Sequence, residues 1–328
     1  MQHQEAVMAE QLKKWLSDPV VSRHSNSTGR KVMTKQKMRD LIRCGFGQGR
    51  GERYVPWIRV TRSMSSQESG TLRASTPVHT RQLHLLSWLE YKAALLLCWL
   101  GAEELREQYP LWTDAYVHPR FHPEAPYATA ALPKVSMQEV AHDLGIKQGC
   151  YVGTDIPYVA TTDLVAQFGA EHNDLMLFVS CKPAGVRAEK SRVDERLALE
   201  AEYARRAGAV HCVFDGSVLT ETIAANLDLL APGRGYLCDR NIAARRSQFA
   251  CAFNETEAYV PLRERMHKAM AMASIQLDDA IADLKASIWL GLIPFDMSSE
   301  LRMNRPLRVP GKTDIKHRLF SQLSGVTA

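Results

Sequence analysis

The sequence has seven cysteines but no C-x-x-C pair. Cys44, Cys98, Cys150, Cys181, Cys212, Cys238 and Cys251 are odd in number and scattered over 328 residues. That spacing excludes a zinc knuckle, argues against a disulfide framework, and points to reduced thiols. Long hydrophobic runs are also lacking. AALLLCWLGA, residues 93–102, is the longest, about half of what a membrane span requires. Gln2, His3, Gln4 and Glu5 stand where a signal peptide needs an apolar core, so the expectation is a cytoplasmic protein with no membrane partner. Nucleotide-binding signatures are missing too. GFGQGRGERYVPW, residues 45–57, lacks the third glycine of a dinucleotide fingerprint and is not followed by Gly-Lys-Ser/Thr. No internal repeat is present.

Acidic residues are scarce in one place. Residues 30–81 hold twelve Lys or Arg against three Asp or Glu, a local charge of +9, so with +5 overall the remainder carries −4. A basic block interleaved with Tyr54, Trp57 and glycines suits a polyanion-binding surface. Lys31, Lys35, Lys37, Arg43, Arg50, Arg53, Tyr54, Trp57 and Arg59 are its candidate DNA contacts. Arg50 and Arg53 lie among glycines that let a phosphate backbone approach closely. The competing reading is a solvated charged tail.

What is present elsewhere is a globular composition, 45% apolar and 23% charged, with length for two domains. Apolar spacing predicts helices over 6–18 and 33–43, and a long one from Arg81 to about Leu105 carrying Glu90. SRHSNSTGRK (22–31) reads as a loop and SMSSQESG (63–70) as a flexible connector. REQYPLW, 106–112, leaves that helix as an extended segment. HPRFHPEAPYATAALP, 118–133, is a proline-rich loop in which His118 and His122 read as loop polar groups. A short helix is expected over 138–144. YVATTDLVAQF, 158–168, alternates as a strand, AEHND turns, and LMLFVSCK, 175–182, forms the paired strand of a β-hairpin. A helix over 192–207 and the strand AVHCVF complete an α/β pattern with a mixed sheet flanked by helices. Beyond 216 the chain reads as helical, with helices at 255–273 and 277–290. SSELRMNRPLRV then has the outline of a basic hairpin, as in a winged helix. From Gly311 a mobile polar tail is expected.

Three residues stand out chemically. Asp163 lies mid-strand among apolar neighbours, where an unpaired acid costs several kcal/mol. Lys182 ends the partner strand 19 residues later, close enough across a tight turn to meet it. Glu90 lies on the apolar helix. Each has a plain alternative, a lysine reaching solvent at a sheet edge or a glutamate on a helix rim. Together, a helix glutamate, a strand aspartate and a strand lysine are what a metal-dependent phosphodiesterase needs. Carboxylates hold Mg²⁺, the ion activates water, and the lysine offsets charge in the transition state.

Several blocks resemble the TnsA family, the endonuclease subunit of heteromeric cut-and-paste transposases. RQLHLLSWLEYKAALLLCWLGAEELREQYPLW (81–112) is similar to its first block. GFGQGRGERYVPWI resembles its Gly-x-Gly…Tyr-x-Pro-Trp segment, and TTD (161–163) and VSCKP (179–183) follow in order. ERLALEAEY (195–203) and WLGLIPFDMSSELRMNRPL (289–307) resemble later segments. The resemblance covers most of residues 44–310. It implies a restriction-endonuclease-like fold, expected at 81–215; the residue patterns add a basic extension at 1–80, a winged-helix-like unit at 216–310 and a tail at 311–328. It implies Mg²⁺, with Mn²⁺ as a substitute, and cleavage of the 5′ strands of transposon-end DNA. It also implies a DDE-type transposase and an ATP-dependent AAA+ regulator as partners. Carried over by position, Glu90 and Asp163 are metal ligands and Lys182 is the catalytic lysine; the Cys181 backbone carbonyl is expected to be a further ligand.

One position departs. The first residue of the family's Q/E-x-K triplet is here Ser180, a shorter and weaker ligand. Either Glu200, on the following helix, reaches back into the site, or it is a surface residue paired with Arg196 at i−4, and Ser180 marks a weakened nuclease kept for assembly. Two other functions fit the same residues: a non-catalytic DNA-binding assembly factor, and a defence-type nuclease of the same fold.

Overall fold

The computed structural model describes residues 32–61, 71–122, 132–183, 191–311 and 314–325. The expected helix over 6–18, the loop at 22–31 with Lys31, and the connector at 63–70 lie outside them. Helix α1, Lys35–Arg43, starts where the Thr34 hydroxyl accepts from Lys37 N–H, the usual way an exposed first-turn amide is satisfied.

The long helix is shorter than its apolar pattern suggests. Residues 83–85 form strand β2 (Leu83–Leu85), paired antiparallel with β1 (Leu72–Ala74). Helix α2 then runs Trp88–Leu100. SWLE supplies the start signal that periodicity alone hides: Ser87 caps the Glu90 amide, and the Glu90 side chain reaches back to the Leu86 amide. Gly101, at φ +103°, ends the helix in a conformation that favours glycine.

Strands β3 (Glu104–Leu111), β4 (Ala160–Gln167), β5 (Met176–Cys181) and β6 (Val210–Phe214) form one sheet in the order β3-β4-β5-β6. The first two pairings are antiparallel and β5–β6 is parallel, so the mixed sheet is as expected. The predicted hairpin is β4–β5, turned by a short 3₁₀ segment at Ala170–His172 with Asn173 and Asp174 at positive φ.

Alternation sorts the two faces. Leu164, Ala166, Leu177 and Val179 point into the core shared with α2 and the C-terminal helices. Val165, Met176 and Phe178 point the other way, toward α3 (Met137–Asp143) and α4 (Ser191–Arg206), where Tyr203 and Ala204 meet them.

Beyond β6 the described residues contain helices only: α5 (Glu221–Leu230), α6 (Arg234–Cys238), α7 (Arg240–Asn254), α8 (Leu262–Ala273), α9 (Leu277–Trp289) and α10 (Ile315–Ser324). The expected basic hairpin at 298–309 is not a strand pair. It is a turn-rich loop whose carbonyls are used by other elements: Asn226 donates to Met297 O and Ser299 O, and Leu262 and Arg263 N–H donate to Arg305 O and Met303 O. The tail expected to be mobile holds α10, which buries Leu319 and Leu323 and stacks Phe320 on His172, 4.1 Å between ring centroids. Its apolar face, not its polar composition, decides its placement. No helix among the described residues is long and apolar enough to cross a membrane.

Candidate functional site

The β4–β5 hairpin brings Asp163 and Lys182 together. Lys182 Nζ donates to Asp163 Oδ2 at 3.0 Å and to the Cys181 carbonyl at 2.9 Å. The Cys181 amide donates to the same Asp163 oxygen at 2.7 Å, because β5 has left its ladder with β4 there. The lysine therefore does not simply reach solvent; its side chain is 17% exposed and bridges two oxygens.

Glu90 comes from the first turn of α2. Its carboxylate accepts from Leu86 N–H at 2.8 Å, Gln108 Nε2 at 3.1 Å and the Ser87 hydroxyl. A capping glutamate ordinarily faces water; this one is buried. Burial first, and then the negative charge of Asp163, push its carboxyl up to about 8, against the Leu86 amide, Lys182 and Ser87.

Gln108 was not singled out by any sequence pattern. It lies in β3 with φ +47°, rare for a residue with a side chain. The β3–β4 register runs Glu107↔Leu164 and Tyr109↔Thr162, so Gln108 is the position facing Asp163 where regular pairing lapses. Its amide donates to Glu90 and accepts from the Thr161 hydroxyl at 3.2 Å. Its strand, ELREQYPL, also carries Glu104, Arg106 and Glu107, so nothing local set Gln108 apart.

Ser180 and Glu200 meet in a buried contact, the serine hydroxyl bonding Glu200 Oε2. Arg196 Nε donates to Glu200 Oε1 at 2.7 Å, so the i−4 pair is present, but Glu200 is 1% exposed and not a surface residue. His211 Nε2, on β6, lies 2.8 Å from Ser180 Oγ. Arg196 was expected as the i−4 partner of Glu200; His211 was not anticipated.

Glu90, Asp163 and the Cys181 carbonyl form a hard-oxygen donor set. Such a set fits Mg²⁺, which is typically held by one or two carboxylates and keeps several waters. Among the described residues no three His, Cys, Asp or Glu side chains are placed together to hold a metal ion, so the set offers two carboxylates and one carbonyl. The Lys182 ammonium already lies against two of those oxygens, so the pocket accepts positive charge.

The basic segment behaves differently. Tyr54 and Trp57 are 3% and 4% exposed and belong to the core, so their rings present no surface to DNA. Tyr54 OH donates to Glu107 O, and Trp57 packs edge-on to Trp112 at 5.6 Å. Arg50 donates to Gln167 at 2.8 Å and pairs with Glu104. Arg59 is half-buried beside Arg73; burial and that charge lower its pKa. The glycines let the chain approach protein, not phosphate: a Cβ on Gly47, at φ +71°, would meet Pro110 Cγ at 2.3 Å. Lys35 and Arg43 remain exposed, Arg39 joins them on the same face of α1, and Lys37 and Arg53 lie nearby, Arg53 exposed. His118 bonds Ala207 O, a loop anchor as expected.

These features define an α/β protein with an acid–lysine centre at one end of a mixed sheet. No protein-family model matches the chain. The chain is similar to the transposon Tn7 transposition protein TnsA of Escherichia coli, 25% identical over 268 residues, covering 80% of this chain and 87% of that protein. The similarity is that of a distant relative.

Proposed function

We propose that the chain is the Mg²⁺-dependent DNA endonuclease subunit of a heteromeric transposase, cutting the 5′ strands at transposon ends. The observation that carries this reading is the Lys182 ammonium on Asp163 and the Cys181 carbonyl, with buried Glu90 beside them. The likeness to a Tn7 transposition protein supports a role in transposition; the partners proposed with it are transposon-end DNA, a DDE-type transposase that handles the 3′ strands, and an AAA+ regulator. In this reading residues 81–215 carry the chemistry, the exposed cations of α1 contact DNA backbone, and the helices from 216 onward serve assembly.

Glu90, Asp163 and the Cys181 carbonyl would hold the divalent cation, with Mn²⁺ a substitute for Mg²⁺. When bound, it supplies a polarised phosphate and a water of lowered pKa. Lys182, 3.0 Å from Asp163, offsets negative charge developing on the phosphate. Gln108 and the Leu86 amide orient the Glu90 carboxylate. Glu200 provides, from the neighbouring helix, the carboxylate that Ser180 does not.

The test is a cleavage assay on end-containing duplex, with and without the transposase partner and Mg²⁺. Mg²⁺-dependent 5′-strand nicks are expected, falling by at least about 10²-fold in Asp163→Ala and Lys182→Ala while DNA binding is retained. Undiminished cutting in both variants would leave only an assembly role. Glu200→Gln should slow nicking; unaltered activity removes Glu200 from the site.

A further inference from the structure

Two cations stand at the outer rim of the acid cluster. One is Lys182; the other is Arg196, whose side chain is 28% exposed. Arg196 is held by its inner edge: Nε donates to Glu200 Oε1 and Nη2 to the Thr161 carbonyl at 2.9 Å. A guanidinium carries five N–H donors in a rigid fork; among the described residues, Nη1 has no acceptor. Burial lowers the Arg196 pKa, but Glu200 and Asp163 outweigh it, and the net is a rise. Thr161 is two residues from Asp163 on β4, and the Asp163 charge acts on Arg196, so the guanidinium lies near the acid–lysine centre.

The support behind that guanidinium is unusual. An exposed Arg–Glu pair at i, i+4 is worth a few tenths of a kcal/mol and needs no further partners. Here the glutamate is fully buried, which is costly unless donors converge on it. Three elements supply them: Arg196 from α4, Ser180 from β5, and His211 from β6. Ser180 gives its proton to Glu200, so the His211 Nε2–H donates to Ser180 Oγ. The chain of bonds runs from imidazole to hydroxyl to carboxylate to guanidinium. It is not a nucleophile–base–acid triad, because the carboxylate binds the serine instead of the imidazole, and Ser180 is wholly buried. A short side chain at 180 leaves the room that Glu200 fills. The bonds therefore fix one guanidinium whose side chain remains 28% exposed.

We propose that Arg196 binds a backbone phosphate of the DNA strand being cut, and that Glu200, Ser180 and His211 are positioning residues that aim it. A planar fork pre-set by two bonds is suited to phosphate, which a point-charge lysine would hold without direction. The inference rests on the nuclease reading for the identity of the ligand as DNA.

The test measures binding, not cutting, on the full chain. Fluorescence anisotropy with a mixed-sequence duplex, Ca²⁺ as the divalent cation and a salt series gives affinity and salt slope. Arg196→Gln should weaken binding roughly tenfold at low salt and make the slope shallower by about 0.9, one phosphate contact. Since that variant strands a buried carboxylate, Arg196→Gln with Glu200→Gln, which leaves no charge unpaired, should show the same slope change. His211→Leu should weaken binding severalfold without altering the charge count, and His211→Gln, which restores a donor to Ser180, should recover it. Wild-type affinity and slope in the double variant overturn the proposal, whether or not the chain cuts DNA. A shallower slope in a chain that never cuts with Mg²⁺ and partner supports the Arg196 contact and counts against the nuclease reading alone.

Discussion

Two clusters of buried charge lie on the same sheet and are built to opposite ends. Around β3, Glu104 and Glu107 are met by Arg50, Arg81 and Arg106, so cations outnumber acids. Arg81 donates to Glu107 at 2.8 Å, to Leu105 O and to Gly51 O, which ties the glycine-rich segment to the sheet. Around β4–β5, three acids, Glu90, Asp163 and Glu200, are met by two cations, Lys182 and Arg196, both on the rim. The first cluster is closed and its charges serve the fold. The second is short of positive charge and open where its cations stand. Burial alone does not mark a reactive site; the charge shortfall and the access do.

The comparison can be broken most sharply at Arg81. Arg81→Met should cost about 3–5 kcal/mol in urea unfolding, because it leaves Glu107 buried without its cation. A loss below about 1 kcal/mol would mean that the β3 cluster is not what fastens residues 44–57. A smaller and pH-dependent effect is expected at Glu90. Its folded carboxyl is raised from near 4.5 to about 8, so folding favours the protonated form. That stabilisation is complete below the ordinary carboxyl range and is lost as pH climbs through about 8. In metal-free protein, thermal midpoints should fall between pH 5 and 8, and Glu90→Gln should flatten the fall; an equal slope in both proteins would contradict the shortfall. The smallest effect belongs to neither cluster. Lys268 and Glu257 form a 2.7 Å pair with both side chains about half exposed, and Glu257→Gln should leave the midpoint where it was.

Much of the site was legible because strands obey a simple period. The alternation in 158–168 and the run at 175–182 gave the hairpin, and the hairpin fixes Asp163 against Lys182. Helices α4, α8 and α9 were readable from their apolar spacing for the same reason. The basic segment was misread because composition reports charge without direction. Arg50 and Trp57 point inward through contacts with Glu104, Trp112 and Gln167, about fifty positions away or more, which no local pattern carries. The extent of α2 was overread since β2 is as apolar as the helix that follows it. The tail was underread because a polar average hid Leu319, Phe320 and Leu323 on one face of α10. The Arg196–Glu200 pair was legible from its i−4 spacing, whereas His211 was invisible for another reason: its meaning comes from Ser180, on a strand adjacent only in space.

Gln108 has a consequence for how this molecule can change. Its backbone at φ +47° is a conformation that costs an ordinary residue on the order of 1–3 kcal/mol and glycine little. A glycine at 108 would relax the chain and delete the amide that steadies Glu90. Selection for a sturdier fold and selection for an aligned carboxylate therefore pull this one position in opposite directions. Variants recovered for thermal stability alone should drift toward glycine at 108 and lose their grip on Glu90 in doing so.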